Sequence, residues 1–417
     1  MNILVIGEGG REHAIIKTIK KSKKCEKLFA LPGNAGISSD AECVNINTND
    51  FEKILEFVKN NNINLVVVGP EVPLANGITD YLNNHNVRVF GPVQKAAEIE
   101  ASKVFAKNLM KKYNIPTATF EVFENYDEAI NYIKNNNKYP VVIKADGLAA
   151  GKGVLIPKNY DEAESALKEI MLDKTFGDAG NRVVIEKFLK GIEMSILAFT
   201  DGKTVVPMVS AKDYKKVGEG DTGLNTGGMG AISPNPIYTD EVADYCYKNI
   251  FLPTIEALTK ENRKFKGVLY FGMIKTDDGI YVIEYNCRFG DPETQVILPR
   301  LKTDIVDIFE AVIDERLNEI KIEWLDDVAM TIVLASGGYP KEYKKGYEIK
   351  NLDKIEKDII VFHAGTKIKD GKIVTNGGRV LNVTYLGKSF DEVKGKILKA
   401  CQVIDFENKY FRKDIGI

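Results

Sequence analysis

Four short segments hold the residues whose types and spacing suit chemistry. In VVIKADGLAAGKGV (141–154), Gly147, Gly151 and Gly153 are separated by small residues. The backbone there can approach a ligand closely and aim its N–H groups at phosphate oxygens. Lys144 and Lys152 add cations. The segment is not a Walker A loop, because three residues rather than four separate Gly147 from Gly151, and Gly153 rather than Ser or Thr follows Lys152. An ordinary hairpin turn would account for the glycines. It would not account for Lys144 inside an apolar strand, where an uncompensated charge is costly; a phosphate partner does.

VIEYNCRFGDPETQ (282–295) reads as a strand running into a turn. Alternation along a strand places Glu284, Asn286 and Arg288 on one face. A carboxylate and an amide oxygen are the hard ligands that Mg2+ takes before filling its remaining positions with water and nucleotide phosphates, and the arginine is suited to a transferring phosphoryl group. A polar edge strand would show Glu-x-Asn too, but not the RFGDPETQ that follows it here.

SAKDYKKVGEGDTGLNTGGMGAISP (210–234) carries Gly227, Gly228 and Gly230, with Asp213 and Asp221 as candidate partners for an ammonium group. Its length and glycine density favour a loop closing over a substrate. The fourth group is GEGGREHA (7–14), LPGNAG (31–36) and GPEVPL (69–74). Gly7-x-Gly9-Gly10 fails the dinucleotide fingerprint, since Glu12 stands where the third glycine belongs. Glycines at a strand-to-helix turn still offer amides to an anion, and a single sugar phosphate fits them better than a dinucleotide.

The elements that must position these segments follow from periodicity. In the first hundred residues, apolar runs NILVIG (2–7), LVVVG (65–69) and VRVF (87–90) alternate with helical stretches, which indicates βαβ units, a mainly parallel sheet, and ligands gathered at its carboxyl edge. After GPVQ (91–94) one helix is expected over 96–113, with Ile99, Val104, Phe105, Leu109 and Met110 as its apolar stripe and Pro116 beyond its end. Residues 118–190 read as a small subdomain of short strands, a charged helix near 160–171 and the glycine-rich hairpin. Further strands are expected at 194–210, 267–285, 328–334 and 380–386, a boundary at WLDD (324–327), and a last helix near 390–403.

Composition excludes several classes. Lys+Arg 57 against Asp+Glu 59 gives a net charge of −2, so bulk charge predicts neither a nucleic-acid nor an anionic-membrane partner. Five cysteines without a CxxC and three histidines far apart argue against a disulfide framework, a thiolate zinc site or a histidine cluster. A basic segment followed by an apolar one does not precede NILVIG, and no apolar run approaches the roughly 20 residues of a membrane span. A cytosolic protein is expected.

Together the segments resemble the ATP-grasp superfamily and, within it, the glycinamide ribonucleotide synthetase family. The resemblance runs from GEGGREHA through ADGLAAGKGV, NTGGMGAISP and NCRFGDPETQ to GGYP (337–340), VFHAGT (361–366) and GGRVLNV (377–383). It implies an α/β and α+β multidomain chain: a Rossmann-like substrate-binding domain (1–100), an ATP-grasp domain (101–324) with a mobile lid at about 118–190, and a C-terminal α+β domain (325–417). The implied reaction joins glycine to 5-phosphoribosylamine with ATP as co-substrate and Mg2+ or Mn2+, through glycyl phosphate. These small molecules are the expected partners, without nucleic acid or membrane, and the chain is expected to act as a monomer.

Residue by residue, the resemblance assigns ATP to Lys103, Lys144, Gly147, Gly151, Lys152 and Gly153, adenine to Glu186 and the backbone of Lys187, Phe188 and Leu189, and ribose to Glu193. Glu284 and Asn286 would hold the metal. Gly9, Gly10, Asn34 and Glu71 would cradle phosphoribosylamine, with Arg11, Gly33 and Pro70 beside them. Lys144, Asp213 and Arg288 are the expected catalytic residues, Asp213 and Arg288 orienting glycine. Thr226, Gly227, Gly228, Met229, Asp291, Pro292 and Glu293 complete the substrate set. Two departures stand out. The family usually has Asp-His-Lys-Arg where this chain has Asp213-Tyr214-Lys215-Lys216, and lysine lacks arginine's bidentate fork. Set against many other ATP-grasp enzymes, though as is usual for this family, GVLYFGMIK (267–275) offers no second acidic metal ligand. Alternatives left open are another ATP-grasp ligase of purine synthesis, which would activate formate or bicarbonate, a Rossmann-type dehydrogenase, and a nucleotide-binding regulator without catalysis.

Overall fold

The computed structural model describes residues 1–149 and 153–416. Its first sheet is wholly parallel, in the order β3-β2-β1-β4-β5, from β1 (Asn2–Gly7), β2 (Lys27–Pro32), β3 (Glu42–Cys43), β4 (Leu65–Val68) and β5 (Val89–Phe90). The runs ILVI and LVVV are buried throughout, as a parallel sheet covered on both faces requires. Alternate side chains enter two different cores: Leu4, Ile6, Val66 and Val68 face one, and Ile3, Val5, Leu65 and Val67 the other.

The next four strands form an antiparallel sheet apart, in the order β6-β9-β7-β8: β6 (Phe120–Phe123), β7 (Val141–Ala145), β8 (Val154–Leu155) and β9 (Val183–Lys187). Helices Tyr126–Asn136 and Tyr160–Leu167 pack on it through Ile130, Ile133, Ala163 and Leu167 against Val141, Ile143, Val183 and Ile185. This is the small subdomain expected at 118–190, and it carries its own core. Each such buried aliphatic side chain contributes roughly 1.5–3 kcal/mol.

The chain then crosses to a second antiparallel sheet of β10 (Ile192–Thr200), β11 (Val205–Pro207), β16 (Gly267–Lys275) and β17 (Ile280–Asn286). Met194, Ile196, Leu269 and Phe271 extend one of the two N-terminal cores, and Leu197, Phe199 and Val268 the other. The first and second sheets are thereby packed into one continuous interior.

Between β11 and β16 the chain leaves this sheet. β12 (Lys212–Asp213) and β15 (Gly230–Ser233), with the hairpin β13 (Lys216–Gly218) and β14 (Thr222–Asn225) between them, reach a third sheet in the order β12-β15-β18-β22-β19. Its other strands are β18 (Val328–Ser336), β19 (Ile360–His363), β22 (Arg379–Gly387) and β23 (Lys409–Tyr410), the last beside β18; the hairpin β20 (Thr366–Lys369) and β21 (Lys372–Thr375) stands off it. The final helix, Phe390–Val403, covers this sheet through Val393, Ile397 and Cys401.

One expectation is corrected. The helix expected over 96–113 is two helices, Gln94–Ala101 and Lys103–Lys112, broken at an extended Ser102 (φ −131°, ψ 111°). The Ser102 hydroxyl caps the second helix by accepting the Phe105 N–H (3.0 Å) and donates to Asp146 Oδ1 (3.1 Å), which also accepts the Val104 N–H (3.1 Å). The apolar stripe continues across the break, so periodicity alone reads one helix.

Candidate functional site

The break at Ser102 sets Lys103 on the first turn of the second helix, where its Nζ donates to the Gly147 carbonyl (2.7 Å). Burial, and then Lys144 nearby, hold the Lys103 pKa below the usual lysine range. Lys144 leaves the middle of β7, spans the gap to the second sheet and donates to the Ile283 carbonyl (3.0 Å). Between these segments lies Glu186 at the end of β9, 4% exposed, with Oε1 2.9 Å from Lys144 Nζ and Oε2 2.8 Å from Lys107 Nζ. Lys107 in turn donates to Thr117 Oγ1 (2.7 Å). Two ammonium groups thus share one buried carboxylate. Burial opposes its ionisation, and Lys144 and Lys107 together hold its pKa below the usual carboxylate value. Burial also brings Lys107 down to about 8. Lys187 ends β9, Phe188 and Leu189 open the link to β10, and Glu193 is the second residue of β10. Gly147 (φ +150°) packs against Ala179, while Gly151 and Lys152 lie outside the described residues.

Across the cleft, exposure alternates along β17 as the strand period dictates. Tyr285 and Cys287 are buried, and Glu284, Asn286 and Arg288 face the cleft. The strand ends at Asn286, and its three polar residues part company there. Glu284 stands opposite Gly272, whose missing side chain leaves it room, and lies 3.4 Å from Lys215 Nζ. Lys215, with Lys144 and Lys103 further off, brings Glu284 down to about 2. Its ionised carboxylate and the Asn286 amide, which has no hydrogen bond among the described residues, present two hard oxygens side by side. That donor set fits a divalent cation bearing oxygen-rich phosphates. Among the described residues no group of three or more His, Cys, Asp or Glu forms a metal site by itself, so a cation held there would need further oxygens from a ligand or from water.

Arg288 turns toward the N-terminal sheet. Nε donates to Glu71 Oε2 (3.0 Å) and Nη2 to Glu100 Oε1 (2.9 Å). Burial works against Glu71, but Arg288 and Arg11 hold it at about 2. Arg11 Nη1 reaches the Phe289 carbonyl (3.2 Å).

Asp213 lies at the end of β12, its Oδ1 buried and without a hydrogen-bond partner among the described residues. Burial, reinforced by the neighbouring Glu293, pushes its pKa well above the usual carboxylate range. Gly228 (φ +113°) is pressed between Asp213 and Pro292, and a Cβ there would collide with Pro292. Thr226 donates twice to the Lys215 carbonyl (both 2.8 Å) and receives the Gly228 N–H (3.0 Å). Met229 is fully buried and paired to the Tyr214 carbonyl, so its contribution is to packing. Tyr214 belongs to the C-terminal core, where its hydroxyl accepts the Gly416 N–H (3.1 Å). Lys215, not Lys216, bridges the cleft, 3.4 Å from Glu284 and 3.5 Å from Glu193.

At the N-terminal sheet, the helix Gly10–Ile19 starts at Gly9, whose N–H donates to Glu12 Oε2 (2.7 Å). Glu12 is buried against Gly7 and Gly69, where any Cβ would overlap its side chain. The residue that breaks the dinucleotide fingerprint therefore fills the crevice between β1 and β4. Asn34, beside Gly33, is spent on structure. Its Oδ1 accepts the Gly36 and Ile37 N–H groups (both 2.9 Å), and its Nδ2 donates to the carbonyls of Glu8 (2.7 Å) and His363 (2.8 Å). Pro70 caps the short helix that begins with Glu71. Asp291 faces Gln295 (2.8 Å) and Arg379 (3.3 Å).

Lys107, Glu100, Lys215 and Arg379 were not singled out from sequence. Lys107 had a signal, lying one helical turn from Lys103; Glu100 had none, since its role depends on a partner far along the chain.

Family-wide sequence patterns for phosphoribosylglycinamide synthetase match in order: the N domain over residues 1–100, the ATP-grasp (A) domain over 101–294 and the C domain over 329–417. Phosphoribosylamine–glycine ligase of Caldanaerobacter subterraneus subsp. tengcongensis is 49% identical over 100% of this chain and 99% of its own length, and that of Halalkalibacterium halodurans 48% identical over 100% and 96%. A crystal structure of phosphoribosylamine–glycine ligase from Thermotoga maritima aligns with a TM-score of 0.86 and 34% identity, covering 99% of this chain and 100% of that one. Biotin carboxylase from Campylobacter jejuni, at 14% identity and a TM-score of 0.75 over 99% and 93%, shares the fold alone.

Proposed function

The chain belongs to the phosphoribosylglycinamide synthetase family, and from that premise we infer its reaction and the part each residue plays. It is an ATP-dependent ligase of purine biosynthesis that joins glycine to 5-phosphoribosylamine, giving glycinamide ribonucleotide, ADP and phosphate. The observation that carries the reading is the full-length match at 49% identity to a phosphoribosylamine–glycine ligase.

Glycine's carboxylate is a poor electrophile until it carries a leaving group. Its oxygen attacks the γ-phosphorus, the bond to ADP breaks, and glycyl phosphate results. The ribosylamine nitrogen then attacks the acyl carbon and releases phosphate. This route needs no protein nucleophile. Lys103 and Lys144 meet the phosphates. Glu186 and the 187–189 backbone meet adenine, and Glu193 the ribose. Glu284 and Asn286 would hold Mg2+ or Mn2+, which when bound neutralises charge on the transferring phosphoryl group. Asp213 faces the glycine ammonium, whose charge would supply the partner its buried oxygen lacks. Arg288 stands between that place and Glu71, where the phosphoribosyl group is received. Rate comes from positioning and charge stabilisation.

The test is a dropout assay. ADP release must require ATP, glycine and phosphoribosylamine together. Release that proceeds without glycine, or with formate or bicarbonate in its place, overturns the reading.

A further inference from the structure

The third sheet contributes a residue to this cleft that lies inside the GGRVLNV motif but has no assigned role there. Arg379, at the start of β22, directs Nη1 at three acceptors on two other segments: the Gly227 carbonyl (2.6 Å), the Asp291 carbonyl (3.0 Å) and Asp291 Oδ1 (3.3 Å). Tyr339 secures the same loop by accepting the Gly227 N–H (3.0 Å). Contact is close enough that a Cβ on Gly227 would lie 3.0 Å from the guanidinium carbon, and one on Gly378 would overlap the Tyr339 ring. Burial disfavours the charge, but Asp291 outweighs it, so Arg379 stays a cation and Asp291 an anion.

The two segments it joins are the walls around Asp213. Gly228 presses on Asp213 from one side and on Pro292 from the other. Without the guanidinium, nothing among the described side chains ties the Gly227 carbonyl to the Asp291 turn. A lysine ammonium has donors for these acceptors but lacks the planar guanidinium that packs against Gly227.

We propose that Arg379 is a positioning residue for the amino-acid substrate, holding the 226–228 loop against the 291–293 turn so that the gap beside Asp213 fits glycine. It acts through those segments and touches no reacting atom. The proposal rests on the reading above that the gap receives glycine.

The test compares Arg379→Ala and Arg379→Lys with the wild-type chain, measuring KM for glycine, the dissociation constant of Mg-ATP by calorimetry, and melting temperature. In the alanine variant the KM for glycine should rise about tenfold or more, while Mg-ATP affinity stays within about twofold. The lysine variant should recover only part of the loss. Added guanidinium ion should lower the glycine KM of the alanine variant and leave the wild type unchanged. An unchanged glycine KM overturns the proposal. So does a parallel loss of Mg-ATP affinity and melting temperature, which marks a purely structural arginine. A wild-type chain that turns over without glycine defeats the functional reading instead, and is seen before any variant is made.

Discussion

Glu186 carries one charge and is held by two lysines, and the imbalance has a consequence at the scale of the residue. When Lys144 turns to a phosphate, Lys107 remains to neutralise the buried carboxylate. Burial has brought Lys107 to about 8, below its value in the unfolded chain. Ionising it therefore costs stability as pH falls from the ordinary lysine range towards 8, and below 8 the cost is fully carried. In function the sign reverses: above about pH 8 Lys107 loses its proton, and Glu186 draws Lys144 back from the nucleotide. The KM for ATP should rise through that range in the wild type. In Lys107→Met it should be raised at every pH and show no step near 8; a variant with the wild-type profile would remove Lys107 from the account. Lys144 was legible because a lysine within VVIKA contradicts its surroundings. Lys107 was not, because lysines are ordinary on helices, and only the folded chain shows that this one is 2% exposed.

Elements decide which of two neighbouring lysines matters. The Asp213–Lys216 segment runs through β12 and into β13 in extended form, so alternate side chains part to opposite sides. Asp213 and Lys215 face the cleft, and Tyr214 enters the C-terminal core. The departure of this chain from Asp-His-Lys-Arg therefore falls on the two positions turned away from the cleft. Lys215→Ala should raise the KM for ATP, whereas Lys216→Ala should change it by no more than about twofold. The reverse order would mean that the strand is turned over. Periodicity predicted β1, β4, β18, β22 and the last helix, Phe390–Val403, within about two residues. It missed the break at Ser102, because the apolar stripe runs across it and Asp146, which accepts the Ser102 hydroxyl and the Val104 N–H, is a tertiary partner that no local pattern contains.

In the whole molecule, the site exists only where four sheets meet. The subdomain sheet brings Lys144 and Glu186, the second sheet Glu284 and Asn286, and the third Asp213 and Arg379, while the N-terminal sheet offers Glu71 and Arg11 to Arg288. The sequence motifs named most of these residues but not their neighbours. Nothing local in 210–234 indicates that the segment leaves one sheet to pair with strands a hundred residues later. That crossing puts Asp213 beside both the proposed nucleotide site and the C-terminal strands. On the proposed assignment, glycyl phosphate would form against Lys144 and Glu284 and wait for an amine held near Arg288 and Glu71. Hydroxylamine offered in place of phosphoribosylamine is the most direct test. Glycine hydroxamate should accumulate together with ADP, and only when ATP, divalent metal and glycine are all present. Hydroxamate formed equally well from formate, or without ATP, would contradict the account.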